Sequence, residues 1–371
     1  MSFSRFNLSD AIMKALDEKG YKSPTPIQEQ AIPQIISGRD ILGTAQTGTG
    51  KTAAFCIPLL QRLISSRGQQ GIRALILTPT RELAIQVSDN LKLYGKHLHL
   101  NSTVIYGGVS QFNQVKTLRQ GVDILVATPG RLMDLIQQRI ISLKNIEMLV
   151  LDEADRMLDM GFIHDVRRII KMVPAERQNL LFSATMSGEV LTLVKEILTN
   201  PVRIDVELKT PRPAIDQSVY FVPRESKKAL LKHVIAERDM QNVIVFARTK
   251  YGADKIARDL NKAGISAEAF HGDKSQHARQ RALLNFKKNA TRVLVATDIA
   301  ARGIDIADLP FVINYELPES ADTYTHRIGR TGRAGASGNA LSFCANDERG
   351  QLKNIKRIST ADLKVVEHPF A

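Results

Sequence analysis

The chain has 371 residues, of which 43% are hydrophobic and 24% charged, so it can bury cores and is not a long disordered segment. At roughly 100–200 residues per domain the length suggests two domains. Fifty-one Lys and Arg against 38 Asp and Glu give a formal charge of +13, which suits a polyanionic partner and equally a merely basic soluble protein.

Two cysteines, Cys56 and Cys344, sit in apolar runs (AAFCIPLL and ALSFCA), which excludes a disulfide framework and zinc-ligand spacing. The opening MSFSRFNLSD has no basic stretch before an apolar core, and no apolar run reaches the ~18 residues that would span a membrane. These features predict a soluble, cytoplasmic protein with no membrane partner.

In chain order, the proline-rich PTPIQ reads first as a turn ahead of a helix. Six candidate strands follow: RDILGTA, ALILTP, STVIYGG, DILVATP, EMLVLDEAD and NLLFSAT, with helices expected over Thr52–Ile64 and Glu82–Leu98. Strands apolar on both faces that alternate with helices indicate a parallel sheet covered on both sides. The segment 207–216 (ELKTPRPAID) suits neither helix nor strand and reads as a linker. The second half repeats the scheme with QSVYFVP, NVIVFAR, AEAFHG, RVLVATD, FVINYE and GNALSFC, and with helices over Tyr251–Ala263 and Gln276–Lys288. The fold class is α/β.

Between the first strand and the first long helix lies AQTGTGKT, Ala45 to Thr52. A glycine-rich turn at a helix N-terminus aims backbone N–H groups at an anion. Lys51 would reach β- and γ-phosphates and Thr52 would hold Mg²⁺. The strict pattern has Gly at Ala45, and alanine is small enough for the turn. Asp152-Glu153-Ala154-Asp155 follows the apolar run MLVL. Ligands bind off the carboxyl ends of parallel strands. Asp152 is therefore read as the Mg²⁺ carboxylate, acting through water, and Glu153 as the base that orients the attacking water. Acidic residues also cap helices, and Asp155 could do so for RMLDMGF.

AQTGTGKT, DEAD and SAT (Ser183 to Thr185), in that order, resemble the DEAD-box RNA helicases of helicase superfamily 2. GYKSPTPIQ with the upstream Phe3 resembles the family's Q motif. PTREL, Gly107-Gly108 and TPGR resemble its first-domain RNA motifs. IVFARTK, QHAR, ATDIAARGIDI and HRIGRTGR resemble those of its second domain. The wording around HGDKSQ and AARGIDI is most similar to the RhlE-like subgroup. The resemblance implies two RecA-like domains, each a mostly parallel sheet flanked by helices: 1–206 with the ATP site, a linker 207–216, and 217–371.

For ATP the resemblance implies Phe3, Tyr21, Gln28, Ala45, Gln46, Thr47, Gly48, Thr49, Gly50, Lys51 and Thr52, with Asp305 on the ribose and Arg330 and Arg333 as arginine fingers from the second domain. Asp155, Ser183, Thr185 and His326 would couple RNA to nucleotide. Arg81, Gly108, Thr128, Arg131, Gly272 and Thr297 would hold the RNA backbone, so binding to single-stranded or partly duplex RNA would be largely independent of sequence. A glutamine amide can donate to N7 and accept from the N6 amine of adenine, whereas guanine offers O6 there, so Gln28 would select ATP. Phe3 would stack on the base. With 5% aromatics and no Trp, a stacking platform for RNA bases is not expected. The implied activity is RNA-stimulated ATP hydrolysis by a monomeric core that clamps and locally unwinds RNA. A DNA helicase of the same superfamily and an ATP-gated RNA clamp are the rival readings. A P-loop kinase or GTPase leaves the second half unexplained.

Overall fold

The structure, a computed structural model, describes residues 2–45, 48–66, 71–206, 215–301, 306, 309–332, 338–358 and 363–370. The chain divides into two compact units, Met1–Glu207 and Leu208–Ala371.

Among the described residues the first unit contains one parallel sheet of seven strands. They are β1 (Ile41–Thr44), β2 (Ala74–Leu77), β3 (Ser102–Ile105), β4 (Ile124–Ala127), β5 (Met148–Leu151), β6 (Gln178–Ser183) and β7 (Val202–Asp205). Their order is β3-β4-β2-β5-β6-β1-β7. Side chains alternate across the sheet with period two. Ile76, Val150 and Leu180 join Phe55 and Phe182 on one face, while Leu75, Leu77, Leu149 and Leu151 pack with Leu132 and Leu193 on the other. Helices cover both faces, so β2, β4 and β5 are buried along their whole length. The order brings β5, β6 and β1 side by side, with Leu151 opposite Leu181 and Thr44 opposite Ser183. Their carboxyl ends carry DEAD, SAT and the glycine-rich loop.

The second unit repeats the plan with β8 (Ile215–Phe221), β9 (Val243–Phe246), β10 (Ala267–Phe270), β11 (Val293–Ala296), β12 (Phe311–Asn314), β13 (Gly338–Cys344) and β14 (Lys364–Val365). These seven described strands are parallel, in the order β10-β11-β9-β12-β13-β8-β14. Lys227 opens the helix Lys227–Glu237 and is 2% exposed. Its ammonium donates to the carbonyls of Tyr315 (2.8 Å) and Phe343 (3.1 Å) and to Glu348.

The twelve expected strands form, and two more appear. β7 pairs with β1 and β14 with β8, both at sheet edges where alternation is weak. The expected linker is corrected at its end, because Ile215 and Asp216 pair with Gly338 and Asn339 as the start of β8. Residues 207–214 lie outside the described residues. The expected helices stand at Lys51–Ser65, Arg81–Tyr94, Lys250–Lys262 and Gln276–Lys287. The second is shorter than expected because Gly95 ends it. Cys56 and Cys344 are free and buried, at 0% and 1% exposure. Among the described residues no helix is long and apolar enough to cross a membrane.

Candidate active site

The glycine-rich turn leads from β1 into the helix Lys51–Ser65. Gly48 and Gly50 have φ of 88° and 92°, backbone that side chains rarely adopt. A Cβ on Gly50 would also fall 2.4 Å from Gln28 Nε2. Lys51 is 6% exposed, and its buried Nζ has no hydrogen-bond partner. Asp152, 2% exposed just past β5, likewise has a buried Oδ1 without a partner. Burying an unpaired cation beside an unpaired carboxylate oxygen is costly unless a ligand completes both. Burial raises the Asp152 carboxyl to about 7, with the Lys51 charge pulling it down and Glu153 pushing it up. Ala45 is 3% exposed, and Gly48, Thr49 and Thr52 line the same turn. Gln46 and Thr47 lie outside the described residues.

Gln28 belongs to the helix Pro26–Ile36 and is 2% exposed. Its Nε2 donates to the carbonyl of Gly50 at 3.1 Å, and its Oε1 accepts from the Thr25 N–H at 3.0 Å. Gln28 thus braces the glycine-rich turn directly. The expected stacking role of Phe3 is corrected. Its ring is 1% exposed, edge-on to Phe6 at 6.0 Å and to Tyr21 at 6.4 Å, so it offers no open face to a base. Tyr21 is half-buried, and its hydroxyl shares a 3.1 Å hydrogen bond with that of Tyr94.

Glu153 caps the helix Ala154–Asp159 in the left-handed region, with φ of 55°. Such strain in a non-glycine residue concentrates at functional sites. Its Oε2 accepts from Arg156 at 2.6 Å, both side chains being 10% exposed. Asp155 ties the DEAD and SAT segments together. Its Oδ2 accepts from Ala184 N (3.1 Å), Thr185 N (2.9 Å) and Thr185 Oγ1 (3.0 Å). Its own N–H donates to Ser183 Oγ at 3.3 Å.

The expected RNA residues of the first unit also lie past strand ends, in the loop of Gly108 and at the starts of two helices. Arg81 opens the helix Arg81–Tyr94, and Thr128 caps the helix Pro129–Gln137. Gly108 has φ of 76°, and a Cβ there would lie 2.2 Å from the Arg81 guanidinium. Arg131 faces inward to this loop, donating to the carbonyl of Val109 (2.9 Å) and to Gln114 Oε1 (3.1 Å). Gln114 in turn bonds both the N–H (3.2 Å) and the carbonyl (3.1 Å) of Tyr106.

In the second unit Gly272 is exposed past β10, and Thr297, 8% exposed, follows β11. Arg327 is 2% exposed and wholly engaged. It grips Asp298 with two bonds (2.6 and 2.8 Å), donates to Asn314 (3.1 Å) and the Glu316 carbonyl (2.7 Å), and lies 5.0 Å from the Phe246 ring centre. It is a scaffold for the turn that carries Arg330, which is 9% exposed, while His326 is exposed on the helix Ala321–Ile328. Asp305 and Arg333 lie outside the described residues.

The DEAD/DEAH box helicase family matches residues 25–194, and the helicase conserved C-terminal domain matches 226–335. A DEAD-box ATP-dependent RNA helicase of Bacillus subtilis, CshA, is 42% identical over 370 residues, which span 100% of this chain and 74% of that protein. The chain belongs to the DEAD-box ATP-dependent RNA helicases. The helicase DeaD of Buchnera aphidicola is 43% identical, over 100% of this chain and 61% of its own length. Among solved structures, a DEAD box protein from Methanococcus jannaschii is 40% identical with a TM-score of 0.55, covering 99% of both chains. S. cerevisiae Dbp5 bound to RNA and ADP BeF3 is 30% identical with a TM-score of 0.83, covering 98% of this chain and 95% of that one. The two parallel sheets of this helicase are RecA-like domains, and it is an ATPase.

Sequence reasoning on this helicase missed Arg156 and Gln114. Arg156 had a signal, because residues three apart on a helix are neighbours and Glu153 and Arg156 are so spaced. Gln114 had none, since nothing in NQVK announces a brace for the preceding loop.

Proposed function

We propose that the first unit binds Mg²⁺-ATP, that RNA stimulates its hydrolysis, and that the pair of ligands holds single-stranded RNA as a clamp. The observation that carries this reading is the buried, partnerless Lys51 Nζ and Asp152 Oδ1, which lie past the carboxyl ends of β1 and β5, the two parallel strands that flank β6. Lys51 binds the phosphates. Among the described residues no cluster of three metal-binding side chains occurs, which fits Mg²⁺, an ion that takes one or two protein oxygens plus substrate phosphates. Asp152 and Thr52 would hold it, and it would neutralise charge on the phosphates. Glu153, kept in place by Arg156, orients the attacking water. Gln28 still has one N–H and one lone pair for adenine, and Tyr21 takes the stacking role in place of Phe3.

Arg330 and Arg333 add positive charge to the γ-phosphate, and Asp305 holds the ribose. Asp155, Ser183, Thr185 and His326 couple RNA to nucleotide. Arg81, Gly108, Thr128, Gly272 and Thr297 hold the ribose-phosphate chain without reading bases, and Arg131 acts by shaping the Gly108 loop. The protein works as a cytoplasmic monomer.

The deciding measurement is ATP turnover with and without single-stranded RNA, in wild type, Lys51→Ala and Glu153→Gln. Lys51→Ala should lose nucleotide binding. Glu153→Gln should keep it, stop turnover and leave a long-lived RNA–ATP complex. Equal loss of binding in both variants would show that Glu153 is misassigned. Stimulation by DNA equal to that by RNA would overturn the RNA preference.

A further inference from the structure

The turn past β10 carries Gly272, one of the residues assigned to the RNA backbone, and is neither helix nor strand. Backbone closes it with a bond from Lys274 N to the His271 carbonyl at 3.1 Å. Side chains of the helix Lys250–Lys262, which follows β9, fasten it further. Asp254 is central to this. Its Oδ1 lies 2.7 Å from Lys274 Nζ and its Oδ2 lies 3.1 Å from His271 Nε2, so one carboxylate reaches both sides of Gly272. From the start of the same helix Lys250 Nζ donates to Asp273 Oδ1 at 2.5 Å.

A solvated ion pair contributes little, and Lys250–Asp273 is of that kind, with side chains 54% and 65% exposed. Asp254 differs, because the imidazole it faces belongs to a residue that is 2% exposed. Burial pushes the Asp254 carboxyl up, but Lys274 and His271 outweigh it and hold the group below its usual range, as an anion. A buried ring held against that anion leaves the glycine that follows it little freedom.

Sheet order sets this turn beside the first unit. β10 and β3 are edge strands in matching places, and β9 matches β2. The Gly108 loop past β3 is braced by Arg131 and Gln114. The second unit braces the matching turn from the helix past β9, with a carboxylate.

We propose that Asp254 is a positioning residue for RNA: through His271 and Lys274 it holds the Gly272 turn in the shape that receives the ribose-phosphate chain. The inference rests on the RNA reading of Gly272 given above. Asp254 acts through its two partners and not on the strand, whose phosphates its charge would repel. A residue of this kind sets how much RNA is needed, not how fast the loaded complex reacts.

The test is ATP turnover titrated with single-stranded RNA, which separates the half-saturating RNA concentration from kcat. Asp254→Ala should raise that concentration about tenfold, the worth of one charge-assisted hydrogen bond, with kcat at saturating RNA and the KM for ATP unchanged. Asp254→Asn, nearly the same shape without the charge, should shift in the same direction and guards against a folding defect in the alanine variant. His271→Ala should match Asp254→Ala, and the double variant should be no worse than either, because both changes remove one contact. Thermal melting of each variant checks that the fold is intact.

An unchanged half-saturating concentration in Asp254→Ala and His271→Ala would overturn the proposal. So would a fall in kcat as large as the shift in RNA requirement, or losses that add in the double variant, since the two residues would then act on the unit as a whole or independently. RNA that failed to stimulate wild type at all would refute the RNA reading itself, an outcome distinct from stimulated wild type with unaffected variants.

Discussion

A carboxamide has two N–H donors and an oxygen with two lone pairs, and Gln28 uses half of this capacity on Thr25 and Gly50. In the proposed reading the residue links recognition of the base to the shape of the glycine-rich turn. Gln28→Ala should lower ATP affinity by about 1–3 kcal/mol and narrow the preference over GTP. Gln28→Glu should be at least as damaging, because it sets a carboxylate oxygen against the Gly50 carbonyl. Titration of both variants with ATP and GTP checks this. Equal losses for the two nucleotides would reduce Gln28 to a brace. Gln28 was named only through the family resemblance, whereas the spacing of AQTGTGKT follows from phosphate chemistry. The surroundings of such residues were not legible. Phe3 has the right type and position for stacking, yet burial depends on which way the 3–6 turn folds, and it places the ring against Phe6 and Tyr21.

At the scale of elements, the pattern of short apolar runs and amphipathic stretches gave away both sheets, because strands buried on both faces must be apolar throughout. Strand order was not legible, since neighbouring strands such as β1 and β6 are far apart in sequence. β7 escaped notice because Arg203 and Asp205 are exposed at the edge. Elements are also fastened by single buried groups that sequence does not announce. Lys227 fastens its helix to the ends of β12 and β13 through Tyr315, Phe343 and Glu348. Lys227→Met should cost about 3–5 kcal/mol, because it leaves the Glu348 carboxylate, 1% exposed, without its cation. Urea unfolding should show the loss in the second unit, and a change below about 1 kcal/mol would mean that Arg248 and the backbone suffice to hold Glu348.

For the whole molecule, each unit has its own sheet and core, while the candidate nucleotide residues are divided between them. Lys51, Asp152 and Glu153 belong to the first and Arg330 to the second. In the proposed reading the first unit holds ATP by itself, while the reaction also needs Arg330, so turnover and not nucleotide binding depends on the second unit. Arg330→Ala should then keep ATP binding and lose about 10³–10⁵-fold in RNA-stimulated turnover. Single-turnover hydrolysis with RNA present measures this. Normal rates would remove Arg330 from the reaction and leave the second unit as an RNA-binding body only.

The two cysteines give the chain a gauge of opening in each unit. Cys56 lies on the helix directly behind the phosphate loop, and burial, reinforced by the Asp152 charge, holds its thiol well above the usual range. Cys344 lies in β13, raised to about 11 by burial and then by Glu348. Protonated and covered, each can be alkylated only when its surroundings unfold. ATP at 100 times its dissociation constant stabilises its binding unit by about 2.7 kcal/mol. It should therefore slow alkylation of Cys56 about a hundredfold and affect Cys344 far less, a contrast that mass spectrometry of the labelled peptides reads out. Equal protection of both thiols would mean that the units open as one, and the rate at one sulfur would then report the stability of the entire chain.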